Sequence, residues 1–282
     1  MLLKFITINL GLLDYKIFGK TIFSNPYYSD KRIKFIPHSL LKYNPDVIVI
    51  QECYDEKHFN FINNNLKLQY PYVARKDKSR NLLQLHNGLV LFSKYPIKSE
   101  NLFPYSKSDI IEKCFGNKCL LVTEILIENK ILSLFNIHLT AGSYNPESLH
   151  STKDRLYQIK ELISLSNYYK SRGTIPIILG DFNSGPIRTN DNYNYMLKNG
   201  FIDAHLYNKG IDYTWSPNNV KISVHNNVKV DKIDHLFFHN CNKNINVLES
   251  KIIFYEKDIK INNNEYCSLS DHNGLLTTLE IK

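Results

Sequence analysis

Certain polar side chains of this 282-residue chain stand where apolar runs end or break. Asn9 closes FITINL, Glu52 follows DVIVIQ, His138 interrupts LSLFNIHLTAG, and Asp181 and Asn183 come directly after IPIILG. Asp234 lies in DKIDHLFF, and the pair Asp271-His272 precedes the final apolar run. Singly, each has an ordinary reading. Gly180–Asn183 would make a β-turn, Asp271-His272 an Asx-type turn, and His138 a hydrogen-bonded core histidine. As a set they match what phosphodiester hydrolysis requires. Carboxylate and carboxamide oxygens hold a hard cation that neutralises phosphoryl oxygens. A carboxylate or imidazole takes a proton from water, and further donors meet the charge that develops in the transition state.

Such residues need rigid strands to fix them and loops to leave room for a ligand. Met1–Leu10 alternates like a strand, and Asp46–Ile50 is a continuous β-branched run that reads as a strand covered on both faces. Further strands are expected over Gly88–Ser93, Cys119–Ile127, Ile131–Leu139, Ile175–Leu179 and Lys232–Phe238, and near 247–255 and 274–281. Asn129 marks a hairpin turn between two of them. Apolar spacing at Ile33, Ile36, Leu40 and Leu41 predicts a helix over 29–43, stopped by Asn44-Pro45. A longer helix is predicted over 152–171, with Ser151 and Asp154 as a capping box and Leu156, Ile159, Leu162, Ile163 and Ser166 on one face. Leu12–Tyr28 reads as a loop rich in aromatics. No internal repeat and no linker divides the chain, so 1–282 is expected to form one α+β domain.

Composition narrows the classes. With 43% hydrophobic and 22% charged residues the chain can bury a sizeable core. No run approaches the ~18–20 apolar residues that span a bilayer. The N-terminus reads as a strand rather than a signal peptide, so a cytoplasmic protein, or one peripheral at a membrane, is expected. Cys53, Cys114, Cys119, Cys241 and Cys267 are odd in number and form no CxxC, which argues for thiols over a zinc site or a disulfide scaffold. The net charge of +8 favours a polyanionic partner, either nucleic acid or an anionic membrane surface.

The blocks FITINL, PDVIVIQE, NGLVLFSKYPI, FNIHLTAG, ILGDFNSGP, KIDHLFF and LSDHNGLLTTL, in that order, resemble the endonuclease/exonuclease/phosphatase superfamily of deoxyribonuclease-I-like fold. The resemblance implies a four-layer α/β-sandwich, two packed mixed β-sheets flanked by helices, with a metal-dependent site at one edge. It implies Glu52 as a ligand to Mg²⁺ (or Mn²⁺), with Asn9 on the metal or its water and Asp271 on the metal or its shell. Asp181 and Asn183 would orient water and hold the scissile phosphate. His138 and Lys118 would meet phosphoryl oxygens. His272 would act as general base or transition-state donor, with Asp234 fixing its tautomer.

Within the superfamily, Trp215 as the sole tryptophan argues against inositol-polyphosphate 5-phosphatases, and His138 stands where apurinic endonucleases carry tyrosine. The thiol reading argues against secreted deoxyribonucleases. GDFNS-x-P is shared with deadenylases. DVIVIQECYD, NGLVLFSKYPI, FGNKCLLV with Lys118, HLTAG, Arg155, Gln158, FIDAHLY and SDHNGLLTTL are similar to neutral, Mg²⁺-dependent sphingomyelinases. That likeness implies phospholipase-C-type hydrolysis of sphingomyelin to ceramide and phosphocholine by a monomer working at a phospholipid surface, with the aromatics of Leu12–Tyr28 dipping into it. A nuclease, or a silent relative that only binds, are the alternatives. One departure is noted: Asn87 stands where relatives often carry an acidic or small residue, so a carboxylate partner for His138 does not follow.

Overall fold

The computed structural model describes residues 1–17, 20–77, 85–116, 118–142, 145–205, 212–225, 227–241 and 244–282. The first third contains β1 (Leu2–Asn9), β2 (Leu13–Ile17), β3 (Lys20–Asn25), α1 (Ser29–Arg32), α2 (Ile36–Leu41), β4 (Val47–Gln51), α3 (Glu56–Leu66), β5 (Tyr72–Ala74) and β6 (Val90–Ser93). The middle contains β7 (Ile97–Pro104), a π-helical turn at Glu112–Gly116, β8 (Cys119–Ile127), β9 (Lys130–His138), α4 (Leu149–Ser171) and β10 (Ile175–Asp181). Then come α5 (Asn190–Lys198), β11 (Phe201–Asp203), β12 (Asp234–His239), β13 (Ile245–Ile253), β14 (Ile259–Asn262), β15 (Glu265–Cys267) and β16 (Gly274–Ile281).

Two six-stranded mixed sheets carry the architecture, in the orders β13-β16-β1-β4-β6-β5 and β11-β12-β10-β9-β8-β7. Side-chain alternation along each strand explains the layers. Leu3, Phe5, Val47 and Val49 face inward and meet Leu121, Leu134, Ile177 and Leu236 of the other sheet. Their neighbours Ile6, Ile8, Ile48 and Ile50 face outward and pack on Ile36 and Leu40 of α2 and Ile62 and Leu66 of α3. On the far side, Phe135, Ile137 and Ile178 pack on Ile159 and Leu162 of α4 and Met196 of α5. The unbroken β-branched run of β4 follows from this, since both of its faces are covered. The four-layer sandwich implied by the resemblance is the fold observed.

Three local expectations are corrected. The single helix over 29–43 is two short ones. Pro37 has no N–H to give Ile33, whose carbonyl instead accepts from Ile36 (3.3 Å) in a tightened turn. The long helix starts three residues early, and Ser148, not Ser151, is its N-cap, accepting from the Ser151 amide at 3.1 Å. The expected loop 12–28 contains the β2/β3 hairpin, whose ladder pairs Leu13 with Asn25. No helix among the described residues is long and apolar enough to cross a membrane.

Candidate active site

Strand register gathers the candidate residues. β9 and β10 run parallel with His138 opposite Asp181, and β10 and β12 run antiparallel with Asp181 opposite Asp234. Three candidates thus form a row at one edge of the second sheet. In the first sheet Asn9 ends β1 opposite Gln51, the last residue of β4. Gln51 itself turns away into the interface: its Nε2 donates to Asn136 Oδ1 (2.9 Å), while Asn136 Nδ2 donates to Ile50 O (3.0 Å) and Val90 O (3.1 Å). This buried amide clamp holds the two sheets in register at the edge where the site lies.

Glu52 leaves β4 with a left-handed backbone (φ 58°), which swings its carboxylate toward the other sheet. Asn9 Nδ2 bridges Glu52 Oε1 and Asp181 Oδ2, both at 3.0 Å, and its Oδ1 accepts from the Gly11 amide at 2.9 Å. Gly11 sits at φ +53°, and a Cβ there would come within 2.6 Å of Asp271 Oδ1. Only glycine leaves that carboxylate its place. Asp271 also accepts from Trp215 Nε1 (3.3 Å) and Ser270 Oγ (3.1 Å).

Asp181 Oδ1 accepts from the Asn183 amide (2.8 Å), and Asn183, itself left-handed, donates from Nδ2 to Leu139 O (3.0 Å). His272 Nδ1 meets Asp234 Oδ2 at 2.8 Å, and its Nε2 faces Asp181 Oδ2 at 3.8 Å. The second Asp234 oxygen is buried without a hydrogen-bond partner among the described residues. Lys118 Nζ donates to Leu139 O (2.8 Å), lies 3.0 Å from His138 Nε2 and pairs with Glu112 Oε1 at 3.2 Å. His138 Nε2 stands 3.6 Å from Glu52 and 3.5 Å from Asp181, while its Nδ1 has no hydrogen-bond partner among the described residues. Asn87 is turned to Lys76 O (2.8 Å) and Asp77 Oδ1 (3.1 Å).

The charges are tightly opposed. Burial, then the neighbouring Asp271, push the Glu52 carboxyl up to about 7. Burial, then Asp234, raise Asp181. Burial alone would lower His272, but Asp234 and Asp181 outweigh it and push it up to about 10. Burial, then Lys118 and His272, hold His138 well below the usual histidine range. Two like-charged carboxylates, Glu52 and Asp271, facing one another in a desolvated site suit a bound cation, which would relieve both burial and repulsion. Among the described residues the tightest site group of histidine and carboxylate atoms is Asp181, Asp234 and His272, mutually within 4.8 Å.

Seven of the nine candidates line one cavity, and the buried Asn9 and Asp234 hold Glu52, Asp181 and His272 from behind it. The sequence did not disclose four of its neighbours. Glu112, on the π-helical turn, accepts from the Ala141 amide (2.8 Å) and pairs with Lys118. Arg188, Trp215 and His225 line the cavity from loops whose spacing carries no periodic signal.

A model of the Endonuclease/Exonuclease/phosphatase family matches residues 6–272. Sphingomyelinase C 2 of Leptospira interrogans is 25% identical over 224 residues, covering 74% of this chain and 35% of that protein. The chain thus spans about a third of that relative's length. Phospholipase C of Staphylococcus aureus is 26% identical over 265 residues, covering 87% of this chain and 78% of that protein. Among solved structures, β toxin of Staphylococcus aureus superposes with a TM-score of 0.76 at 22% identity, covering 99% of this chain and 100% of its own. A humanized D. rerio TDP2 gives 0.71 at 16% identity, covering 99% of each chain. Another β toxin structure carries bound magnesium ions. With the family model spanning nearly the whole chain and the fold in agreement, the protein belongs to the endonuclease/exonuclease/phosphatase family.

Proposed function

We propose that the protein is a divalent-cation-dependent phospholipase C of the sphingomyelinase type. One observation carries the lipid reading. The cavity of about 290 Å³ above the site has a polar floor of Glu52, His138 and Asp181 and an apolar rim that includes Leu13, Phe23, Ile111 and Val224. Phe23, Ile111 and Val224 are also exposed to solvent, and Ile22 (62%) and Ile110 (73%) beside them are more so. An exposed apolar rim around a phosphate-binding floor suits a substrate drawn from a bilayer better than a nucleic-acid strand.

Glu52 and Asp271, with Asn9 beside them, would hold the cation, and Mg²⁺ is the ion favoured by an all-oxygen donor set. Bound there, the cation neutralises phosphoryl oxygens. Asp181, kept basic by burial and oriented by Asn183, takes a proton from the attacking water. The water oxygen bonds to phosphorus and the bond from phosphorus to the lipid oxygen breaks. The products are the lipid alcohol and a phosphorylated head group. His272, oriented by Asp234, donates its Nε2 proton to the departing lipid oxygen, which leaves as the alcohol. Lys118, in this arrangement donating to His138 Nε2, turns to the phosphoryl oxygen and frees that imidazole.

The test is release of the phosphorylated head group from vesicles of sphingomyelin or of a phosphoinositol sphingolipid with Mg²⁺, run beside assays on single- and double-stranded nucleic acids. Release that is lost in Glu52→Ala and His272→Ala is expected. Strong nuclease turnover without head-group release from either lipid would overturn the proposal.

A further inference from the structure

Four residues, Pro146, Arg188, Val224 and His225, line both the catalytic cavity and a second, larger cavity of about 890 Å³. Arg188 is the cation at this threshold. It is 7% exposed, and among the described residues its guanidinium makes no hydrogen bond or ion pair. The loop explains why. Gly185 donates its amide to Arg188 O (3.0 Å), closing a turn, and a Cβ on Gly185 would lie 2.1 Å from Lys232 O. The neighbouring Asp231 is occupied by backbone: its oxygens accept from the amides of Arg188 (2.7 Å), Lys232 (2.8 Å) and Ile187 (3.4 Å). The guanidinium instead lies over the Trp215 ring, 5.1 Å from its centroid. A planar cation nearly out of water, with its donors unused, is poised for an anion, which it can grip through two parallel hydrogen bonds.

Hydrolysis of the bond to the lipid oxygen leaves the head group on phosphorus, so the head group must project from the catalytic floor. We infer that it projects past Arg188 into the larger cavity, and that Arg188 recognises a second anionic group on it. The inference rests on the lipid reading above and specifies its head-group class: a hydroxyl-rich, phosphorylated head group rather than choline. Asn145, Thr152 and Thr189 line the chamber and suit hydroxyls, and Lys229 is a second cation there, set against Glu147 and Asp191. A quaternary ammonium would instead meet the like charges of Arg188 and Lys229, in a chamber with no Phe, Tyr or Trp ring among its described lining residues.

Calorimetry on the Mg²⁺-loaded protein tests this with three phosphate monoesters: phosphocholine, myo-inositol 1-phosphate and myo-inositol 1,4-bisphosphate. The bisphosphate is expected to bind at least tenfold tighter than the monophosphate. Arg188→Gln should bring that ratio to within about twofold and tighten phosphocholine. Arg188→Lys, which keeps charge without the planar fork, should give an intermediate ratio, and serves alone if Arg188→Gln does not fold. Equal binding of the two inositol phosphates to the wild type, or a ratio unmoved by either variant, overturns the inference. So does Arg188-dependent binding of a 5′-phosphorylated dinucleotide with no discrimination between the inositol pair. Because binding is read without turnover, Arg188-dependent discrimination in a protein that hydrolyses no lipid would sink the proposed function alone.

Discussion

Among single residues, the candidate site is a set of charges whose positions are fixed by partners rather than by exposure. His272 illustrates this: Asp234 grips one nitrogen at 2.8 Å and leaves the other facing Asp181. Asp234→Asn should keep the shape of the pocket while changing the tautomer and charge of the imidazole, lowering turnover by about 10²-fold or more with near-ultraviolet dichroism unchanged. Away from the site, His239 is buried on the Phe201 ring (centroids 4.1 Å apart) and near Ser166 Oγ (3.2 Å). Burial, then Lys170, hold it down to about 4 from the ordinary 6.5. The unfolded chain therefore binds a proton that the folded chain refuses between those two values, so stability is complete above about 6.5 and falls as the pH drops toward 4. The shift corresponds to about 3 kcal/mol. In His239→Phe the difference between urea midpoints at pH 7.5 and pH 4.5 should shrink; an unchanged difference would place acid sensitivity elsewhere.

Elements were legible to different degrees. Runs such as Cys119–Ile127 announce themselves, because a strand buried in a sandwich must be apolar on both faces. The polar residues that end such runs also stood out, since a strand that could have closed in apolar residues did not. Helix beginnings were less legible: Ser148 and Ser151 are both good caps by type, and only backbone geometry chooses between them. Ser148→Ala should cost about 1 kcal/mol in denaturant midpoint analysis, the usual worth of a cap. Arg188 and Glu112 were illegible for another reason. Their roles depend on a turn and a π-helical segment that bring them to the cavity, and no periodicity encodes that. The last strand is decisive. β16 lies between β13 and β1, so removing Asn273–Lys282 would open both ladders of the first sheet. Such a truncation should be insoluble or molten, read by loss of near-ultraviolet dichroism. This goes beyond the loss of activity that the position of His272 suggests.

For the whole molecule, a net charge of +8 and an apolar rim act together. Cationic proteins are drawn to anionic bilayers over a screened distance of about 10 Å at ordinary salt, and apolar side chains then anchor them. Ile22→Asp combined with Ile110→Asp should lower turnover on vesicles about tenfold while sparing a water-soluble phosphodiester. Equal losses on both substrates would mean that these side chains serve the site rather than the surface. Adding salt should weaken vesicle binding more in the double variant than in the wild type, because charge would then be its main attraction.

The pairing of β1 with β16 has a consequence in time. The Met1 amino group donates to Ile281 O at 2.8 Å, and the Ile281 amide returns a bond to Met1 O at 2.9 Å. β1 thus waits for β16, and the Ile281 that meets Met1 lies 280 residues further along the chain. A growing polypeptide holds Asn9, Glu52, Lys118, His138, Asp181, Asn183 and Asp234 long before it can hold Asp271 and His272. Hydrolytic competence and closure of the first sheet would therefore arrive together, and a chain released before β16 should be inactive.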